Sequence, residues 1–191
     1  MTVYPGVYPP SEDSYMVLDA VEKVKAKRVL EIGCGSGVVS LALARRSIEV
    51  VAVDIKMEAC RNTLTNFKRN RLQGVVHVVN GDLATAFRES VRFNMVVSNP
   101  PYLPVDPSSS EDSSWAAGKD ASVLKRLLEN TLPLLSDTGV LILVYSSLLD
   151  VNGLKKTLEE KGFLVEEASS RGFFFEKIIL LRISRKPINP W

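Results

Sequence analysis

The tetrapeptide Asn99-Pro100-Pro101-Tyr102 is the segment whose residue types and order point most directly to a reaction. It follows the apolar run Met95–Ser98, which is typical of a buried strand that ends at a breaker. Each proline lacks an N–H, holds its φ at about −65° and pushes the preceding residue into extended geometry. The side-chain oxygen of Asn99 and the carbonyl oxygen of Pro100 are therefore presented rigidly. Together they could accept two hydrogen bonds from one NH₂ group.

A glycine-rich loop follows the predicted first strand, Arg28–Ile32. Its glycines Gly33, Gly35 and Gly37 alternate with other residues, and glycine lets a backbone approach a ligand closely. The loop lies at the carboxyl edge of the predicted sheet, where α/β proteins bind ligands. A dinucleotide fingerprint would need glycine at position 38, which is Val38, so the loop alone does not indicate a dinucleotide.

Two acidic residues follow the next two predicted strands. Asp54 comes after Val50–Val53, where one carboxylate can accept both hydroxyls of a ribose. Asp82 comes after Val75–Val79 and could accept a hydrogen bond from an adenine amino group, with Leu83 against the ring. Taken singly, each acid is more often a turn or cap residue. The glycine loop, the two acids and the tetrapeptide follow four successive strands. Together they favour an adenosine-containing ligand that needs no phosphate-binding site, and S-adenosylmethionine fits better than NAD.

The elements that must position these residues alternate along the chain. Apolar strand-like segments and amphipathic helix-length segments take turns, which predicts a mostly parallel, seven-stranded Rossmann-like α/β sheet with helices on both faces. We predict one domain over residues 1–191, with a first helix near Ser11 and a helix over 120–135. A short link at 169–172 predicts a C-terminal antiparallel hairpin. The predicted strands are 28–32, 50–53, 75–79, 95–98, 140–144, 164–168 and 173–183.

Composition limits the class of protein. The hydrophobic content of 46% and charged content of 24% are ordinary for a globular domain, and the net charge of +2 is too balanced to indicate nucleic acid as the main partner. No signal peptide or membrane-length apolar run is evident, so we expect a cytoplasmic protein. The cysteines, Cys34 and Cys60, form no CxxC motif, and no metal site is predicted.

These landmarks resemble those of class I S-adenosylmethionine-dependent methyltransferases, and Asn99–Tyr102 resembles the branch that modifies planar NH₂ groups. The segments Tyr8–Ser14 and Trp115–Lys119 resemble the short archaeal and eukaryotic HemK-type enzymes. Those enzymes methylate the glutamine of the Gly-Gly-Gln motif in class I translation release factors. The resemblance covers nearly the whole chain. Ser14 stands where the family often has threonine, and Ala117 where a second glycine is common.

The resemblance implies a role for each matching position. It implies that substrate contacts run from Asn99 through Pro101 to Leu103. Our hypothesis for the mechanism is that Asn99 and Pro100 orient the substrate amide and that Tyr102 packs on it. S-adenosylhomocysteine would be the product. The cofactor contacts implied or predicted are Ser14, Glu31, Gly33, Gly35, Asp54, Asp82, Leu83 and Asn99.

Two further segments concern partners. The loop 103–119 is rich in proline, serine and acids and begins at the tetrapeptide, so we interpret it as a lid. The strand Val75–Val79 is expected at the sheet edge and carries neither formal charge nor proline to prevent strand addition. The resemblance implies a small zinc-binding activator protein that covers this edge; the alternative is a local loop.

Two other functions remain open. The first is an N6-adenine or N2-guanine methyltransferase acting on nucleic acid, which would share the tetrapeptide chemistry but lacks a basic stripe here. The second is a non-catalytic cofactor-binding scaffold, against which the joint presence of Asn99, Asp54 and Asp82 argues.

Overall fold

The computed structural model describes residues 1–72, 75–101, 122–149, 152–173 and 176–185. Helices and strands alternate through these ranges, as the apolar pattern predicts. The helices are α1 (Glu12–Glu22), α2 (Val38–Arg45), α3 (Met57–Arg69), α4 (Ser122–Thr131) and α5 (Asn152–Glu160). The strands are β1 (Arg28–Ile32), β2 (Glu49–Asp54), β3 (Val76–Asn80), β4 (Phe93–Ser98), β5 (Leu135–Ser146), β6 (Leu164–Phe173) and β7 (Glu176–Ser184).

The seven strands form one sheet in the order β3-β2-β1-β4-β5-β7-β6. Strands β1 to β5 are mutually parallel, whereas β7 runs antiparallel to both β5 and β6. The predicted fold class, the C-terminal antiparallel pair and the edge position of β3 are therefore confirmed. The order reverses between β1 and β4, so the loops after these two strands face the same crevice, where α/β sheets bind ligands.

Several predicted element boundaries are wrong: β5 spans Leu135–Ser146 and not 140–144, β7 begins at Glu176 and not at 173, and two further errors have clear physical causes. The link predicted at 169–172 belongs to β6, where Ser169 pairs with Leu180 and Gly172 pairs with Lys177. A register shift between Glu167 and Ser169 lets the strand continue through small polar residues that read as a turn. The helix predicted to reach 135 ends at Thr131, because the proline in the following Leu132–Leu134 turn cannot continue it.

Apolar side chains cover both faces of the sheet. On one face Leu127 of α4 and Leu158 of α5 join a buried cluster with Leu143. On the other, Val17 of α1 and Leu43 of α2 pack in a second cluster. Because helices cover both faces, the carboxyl edge of the sheet is where polar side chains can meet a ligand. In the ranges described, no helix is both long enough and apolar enough to cross a membrane.

Candidate active site

The glycine loop adopts backbone geometry that side chains rarely tolerate. Gly33, Gly35 and Gly37 have φ values of 77°, 52° and 79°. The Gly33 N–H donates to the carbonyl of Val53 at 2.8 Å, which ties the loop to the end of β2. A Cβ at Gly37 would lie 2.9 Å from Oγ1 of Thr63, so glycine is needed there for conformation and for space.

Glu31 lies beneath this loop and is 5% exposed. Its Oε2 accepts a hydrogen bond from the Ser40 N–H at 3.0 Å and a second, short one from the Ser40 hydroxyl. Burial raises the pKa of Glu31 from 4.5 to about 8, against the opposing effect of the Ser40 hydrogen bonds. A cation bound above the loop would favour the ionised carboxylate. Glu31 is therefore a buried acid that can respond to the charge of a ligand.

Asp54 joins the end of β2 to the glycine loop. Its Oδ2 accepts the Gly35 N–H at 2.9 Å, and its Oδ1 accepts the Lys56 N–H at 2.9 Å. Burial raises the pKa of Asp54, and the two N–H donors oppose that shift. Each carboxylate oxygen retains a further lone pair, so the group can still accept from a ligand hydroxyl.

Ile55 was not singled out in the sequence analysis. This large apolar side chain follows Asp54 directly at the carboxyl end of β2 and is 68% exposed. A planar ring held beside Asp54 could cover it. The available signal was the apolar residue that continues the β2 run past the acid.

Asp82 lies after β3 and forms an ion pair that the sequence did not predict. Its Oδ2 is 2.5 Å from Nη2 of Arg126 on α4, and both side chains are about half exposed. Leu83 has a φ of 52° and packs against the buried cluster around Leu127. The pairing occupies one carboxylate oxygen, which leaves Oδ1 as the acceptor for a ligand amino group.

Ser14 lies in the first turn of α1 and is buried. Its N–H donates to Oδ1 of Asp13 at 2.6 Å, and its hydroxyl lies 3.2 Å from the same oxygen. The Tyr8 hydroxyl donates to Oδ2 of Asp13 at 3.1 Å. Asp13 is 3% exposed. Asp13 was not among the predicted site residues, whereas the structure makes it the centre of this polar cluster.

Asn99 emerges from β4 beside the glycine loop. A Cβ on Gly33 would lie 4.0 Å from the Asn99 carbonyl oxygen, so the two segments are close neighbours. Oδ1 of Asn99 is buried, and no described residue donates a hydrogen bond to it. A buried acceptor without a donor is uncommon in proteins and fits a ligand NH₂ group. Pro100 is buried and Pro101 half-buried, while Tyr102 and Leu103 lie outside the described residues.

The structure therefore brings Gly33 beside Asn99 and Gly35 beside Asp54. Asp82 and Ser14 each have polar partners of their own. The predicted lid at 103–119 lies outside the described residues. Both cysteines are free and buried. Within the described ranges, no cluster of three or more histidine, cysteine, aspartate or glutamate side chains could hold a metal ion.

Comparison with known proteins agrees with this arrangement. Residues 9–173 match the Methyltransferase small domain family. The eRF1 methyltransferase catalytic subunit mtq2 of Schizosaccharomyces pombe is 30% identical over 98% of this chain and 93% of its own length. Methyltransferase HEMK2 of Mus musculus is 32% identical over 94% of this chain and 90% of its own.

Among solved structures, the E. cuniculi Mtq2–Trm112 complex, described as responsible for the methylation of the eRF1 translation termination factor, superposes with a TM-score of 0.75. That alignment covers 95% of this chain and 99% of the other at 24% identity, which shows a shared fold. The family match and the nearly full-length matches to these relatives show that the chain belongs to the Methyltransferase small domain family.

Proposed function

We propose that the chain transfers a methyl group from S-adenosylmethionine to the side-chain amide nitrogen of the Gly-Gly-Gln glutamine in a class I translation release factor. The observation that carries this proposal is the buried Oδ1 of Asn99 just after β4, to which none of the described residues donates a hydrogen bond. Relatives that align over almost their full length are named for release-factor methylation, which supports this substrate over others.

The cofactor residues fit S-adenosylmethionine. The positive-φ loop of Gly33 and Gly35 leaves room for close backbone approach, and Asp54 retains lone pairs for a ribose. Glu31 offers a carboxyl group whose ionisation a cationic ligand would favour. Asp82 and Leu83 would contact the adenine, and Ser14 would contact the methionine part of the cofactor. When bound, S-adenosylmethionine supplies an electrophilic methyl group on a sulfonium.

The chain's own residues would act by orientation. A carboxamide nitrogen is a weak nucleophile because its lone pair is delocalised into the carbonyl group. In our proposal Oδ1 of Asn99 and the Pro100 carbonyl accept the two amide hydrogens and aim the nitrogen, and such positioning can supply several kcal/mol. The same fixed dipoles stabilise the positive charge that develops on nitrogen. Tyr102 would pack on the amide plane. No strong general base is required, because the alkylated nitrogen is acidic and loses its proton to water.

We propose that the activator partner adds to the edge of β3. Strand β3 pairs only with β2 among the described strands, and its residues are half-buried or exposed. Val50 N–H donates to Val75 O, and Gly81 N–H donates to Asp54 O, so the backbone groups of Val76 and Val78 point away from β2. Those outward groups could receive a strand of a small zinc-binding protein. In this proposal residues 1–191 form one methyltransferase domain that acts in the cytoplasm.

The test is transfer of a labelled methyl group from S-adenosylmethionine. The substrates are a class I release factor, its Gly-Gly-Ala variant, and total tRNA plus DNA, each with and without the activator. We expect label on the wild-type factor alone. Label on nucleic acid would favour adenine or guanine methylation, since Asn99 could equally hold an exocyclic NH₂. Label on neither, with intact cofactor binding, would favour a scaffold.

A further inference from the structure

Helix α3 carries buried polar side chains that the proposed reaction does not use. Asn62, Thr63 and Asn66 are each fully buried, on the side of the helix that faces the glycine loop and the N-terminal segment. Buried polar side chains in the middle of a helix cost stability unless their hydrogen bonds are made. Their partners therefore indicate why this face is polar.

Two of these side chains contact consecutive peptide groups of the glycine loop. The Thr63 hydroxyl donates to the Gly35 carbonyl at 3.0 Å, and Nδ2 of Asn66 donates to the Ser36 carbonyl at 2.8 Å. Because a trans peptide is planar, a carbonyl fixed toward α3 fixes the next N–H on the opposite side. The two contacts thus set the directions of the Ser36 and Gly37 amides.

The close approach of the helix supports the same conclusion. A Cβ on Gly37 would lie 3.2 Å from the Cα of Thr63, so the backbones of loop and helix are nearly in contact. Any side chain at position 37 would therefore have to displace the helix. The glycine is therefore matched to Thr63 as well as to its own φ of 79°.

The N-terminal segment Thr2–Tyr4 lies on the same face of α3 and orients Asn66. Oδ1 of Asn66 accepts the Thr2 N–H at 2.8 Å, and its Nδ2 also donates to the Thr2 carbonyl at 2.8 Å. The neighbouring Asn62 bonds the same segment, through Thr2 O at 2.8 Å and Tyr4 N at 2.6 Å, and makes no hydrogen bond to the loop among the described residues. The amide of Asn66 is consequently held at three points, one of which is the loop.

We propose that Thr63 and Asn66 are positioning residues that hold the cofactor loop in its binding geometry before the cofactor arrives, with Thr2 as the anchor for Asn66. This deepens the proposed function, on which it rests only for the identity of the loop's ligand. A loop already ordered in the free protein binds with a smaller entropic cost. Loss of either contact should therefore weaken cofactor affinity more than it slows transfer.

The chain offers a matched pair of variants. Thr63→Val removes a hydroxyl that donates to the loop, and Thr65→Val removes one whose hydrogen-bond partner, in the described part of the chain, is the Tyr4 hydroxyl at 2.8 Å. Both changes keep the side-chain shape. We expect Thr63→Val to raise the dissociation constant of S-adenosylhomocysteine by about tenfold in calorimetry, since a buried carbonyl loses its donor, and Thr65→Val to stay within about twofold. At saturating cofactor, kcat should change by less than about twofold in either variant.

A second measurement needs no ligand. In the free protein, amide hydrogen exchange over residues 33–37 should be about tenfold faster in Thr63→Val than in Thr65→Val. The pair Asn66→Ala and Asn62→Ala repeats the comparison. Both variants lose hydrogen bonds to Thr2, but only Asn66→Ala loses the hydrogen bond to the Ser36 carbonyl. If Asn66→Ala fails to fold, the threonine pair still decides.

The outcomes separate the two proposals. If the wild-type protein does not bind S-adenosylhomocysteine, the proposed cofactor is wrong, while the exchange experiment still tests the loop. If the wild type binds and Thr63→Val matches Thr65→Val in both affinity and exchange, the positioning role is wrong. A loss of kcat with unchanged cofactor affinity would likewise overturn it.

Discussion

Asp54 and Gly35 are joined by a 2.9 Å hydrogen bond from the Gly35 N–H to the Asp54 carboxylate. This bond connects the end of β2 to the glycine loop after β1, so a single carboxylate at the carboxyl edge of the sheet holds the loop. The ribose role predicted for Asp54 and the loop geometry predicted for the glycines are therefore one structural unit. A substitution of Asp54 should therefore alter the conformation of the glycine loop, and a change in the loop should alter the position of the Asp54 carboxylate.

We predict that Asp54→Ala raises the dissociation constant of S-adenosylmethionine by at least about tenfold. It removes a ligand acceptor and leaves the Gly35 and Lys56 amides without their partner. Asp54→Asn, which keeps the shape and one oxygen acceptor, should give a smaller increase. Calorimetric titration of both variants measures this. An unchanged dissociation constant for Asp54→Ala would contradict the ribose role.

The sequence predicts contacts that strand order enforces, and it does not predict contacts between side chains of distant elements. Gly33, Asp54, Asp82 and Asn99 are predictable because each ends a strand or follows one within two residues, and parallel strands bring their carboxyl ends to one edge. The Arg126–Asp82 pair joins residues 44 apart, and the Asn66–Ser36 contact joins residues 30 apart. Neither has a local signature, because both depend on how a helix packs on the sheet. The hairpin boundary was misplaced for a related reason: pairing with β7 overrides the turn preference of Ser169 and Gly172.

The role of Asn99 predicts a separation of binding from transfer. Asn99→Ala should keep S-adenosylmethionine binding within a few-fold and lower kcat by at least about a hundredfold, since it removes an acceptor that orients the reacting nitrogen. Asn94→Ala is the matched control. Asn94 lies near the opposite end of β4, is exposed, and accepts hydrogen bonds from the Lys27 and Arg28 amides. Single-turnover transfer to a release factor measures the effect, and near-normal turnover of Asn99→Ala would exclude the mechanism.

Glu31 predicts how stability depends on pH. Its pKa is raised by burial to about 8 in the folded protein, above the 4.5 of an unburied carboxyl. A raised folded-state pKa means that the contribution to stability is fully present below the unfolded value and is lost as pH rises through about 8. The melting temperature of the free protein should therefore fall between pH 5 and pH 9.

Glu31→Gln should flatten that pH profile, because glutamine cannot ionise. Glu58→Gln, an exposed change in the first turn of α3, should leave the wild-type profile unaltered. Thermal unfolding at several pH values in one ionic strength compares the three proteins. Identical slopes for Glu31→Gln and the wild type would show that Glu31 does not carry the dependence.

Arg126 predicts an effect on cofactor affinity at a distance from the reacting atoms. The Arg126–Asp82 pair is about half exposed, so its direct effect on folding stability should be below about 1 kcal/mol. Arg126→Ala should nevertheless raise the S-adenosylmethionine dissociation constant several-fold, because Asp82 loses the contact that fixes its Oδ2. Lys125→Ala, an exposed change at the adjacent position, should have no effect. Equal affinities for the two variants would mean that Arg126 does not position Asp82.

A substitution at the outer edge of β3 should abolish partner binding without preventing folding. The Val78 N–H points away from β2, so Val78→Pro removes a donor at the free edge while the bonds between the strands stay intact. We expect this variant to fold, to bind S-adenosylmethionine within about threefold of the wild type, and to form no complex with the proposed activator in size-exclusion chromatography. Val78→Thr keeps the N–H and should retain the complex. Co-elution of the Val78→Pro variant with the activator would show that the partner does not add a strand at this edge.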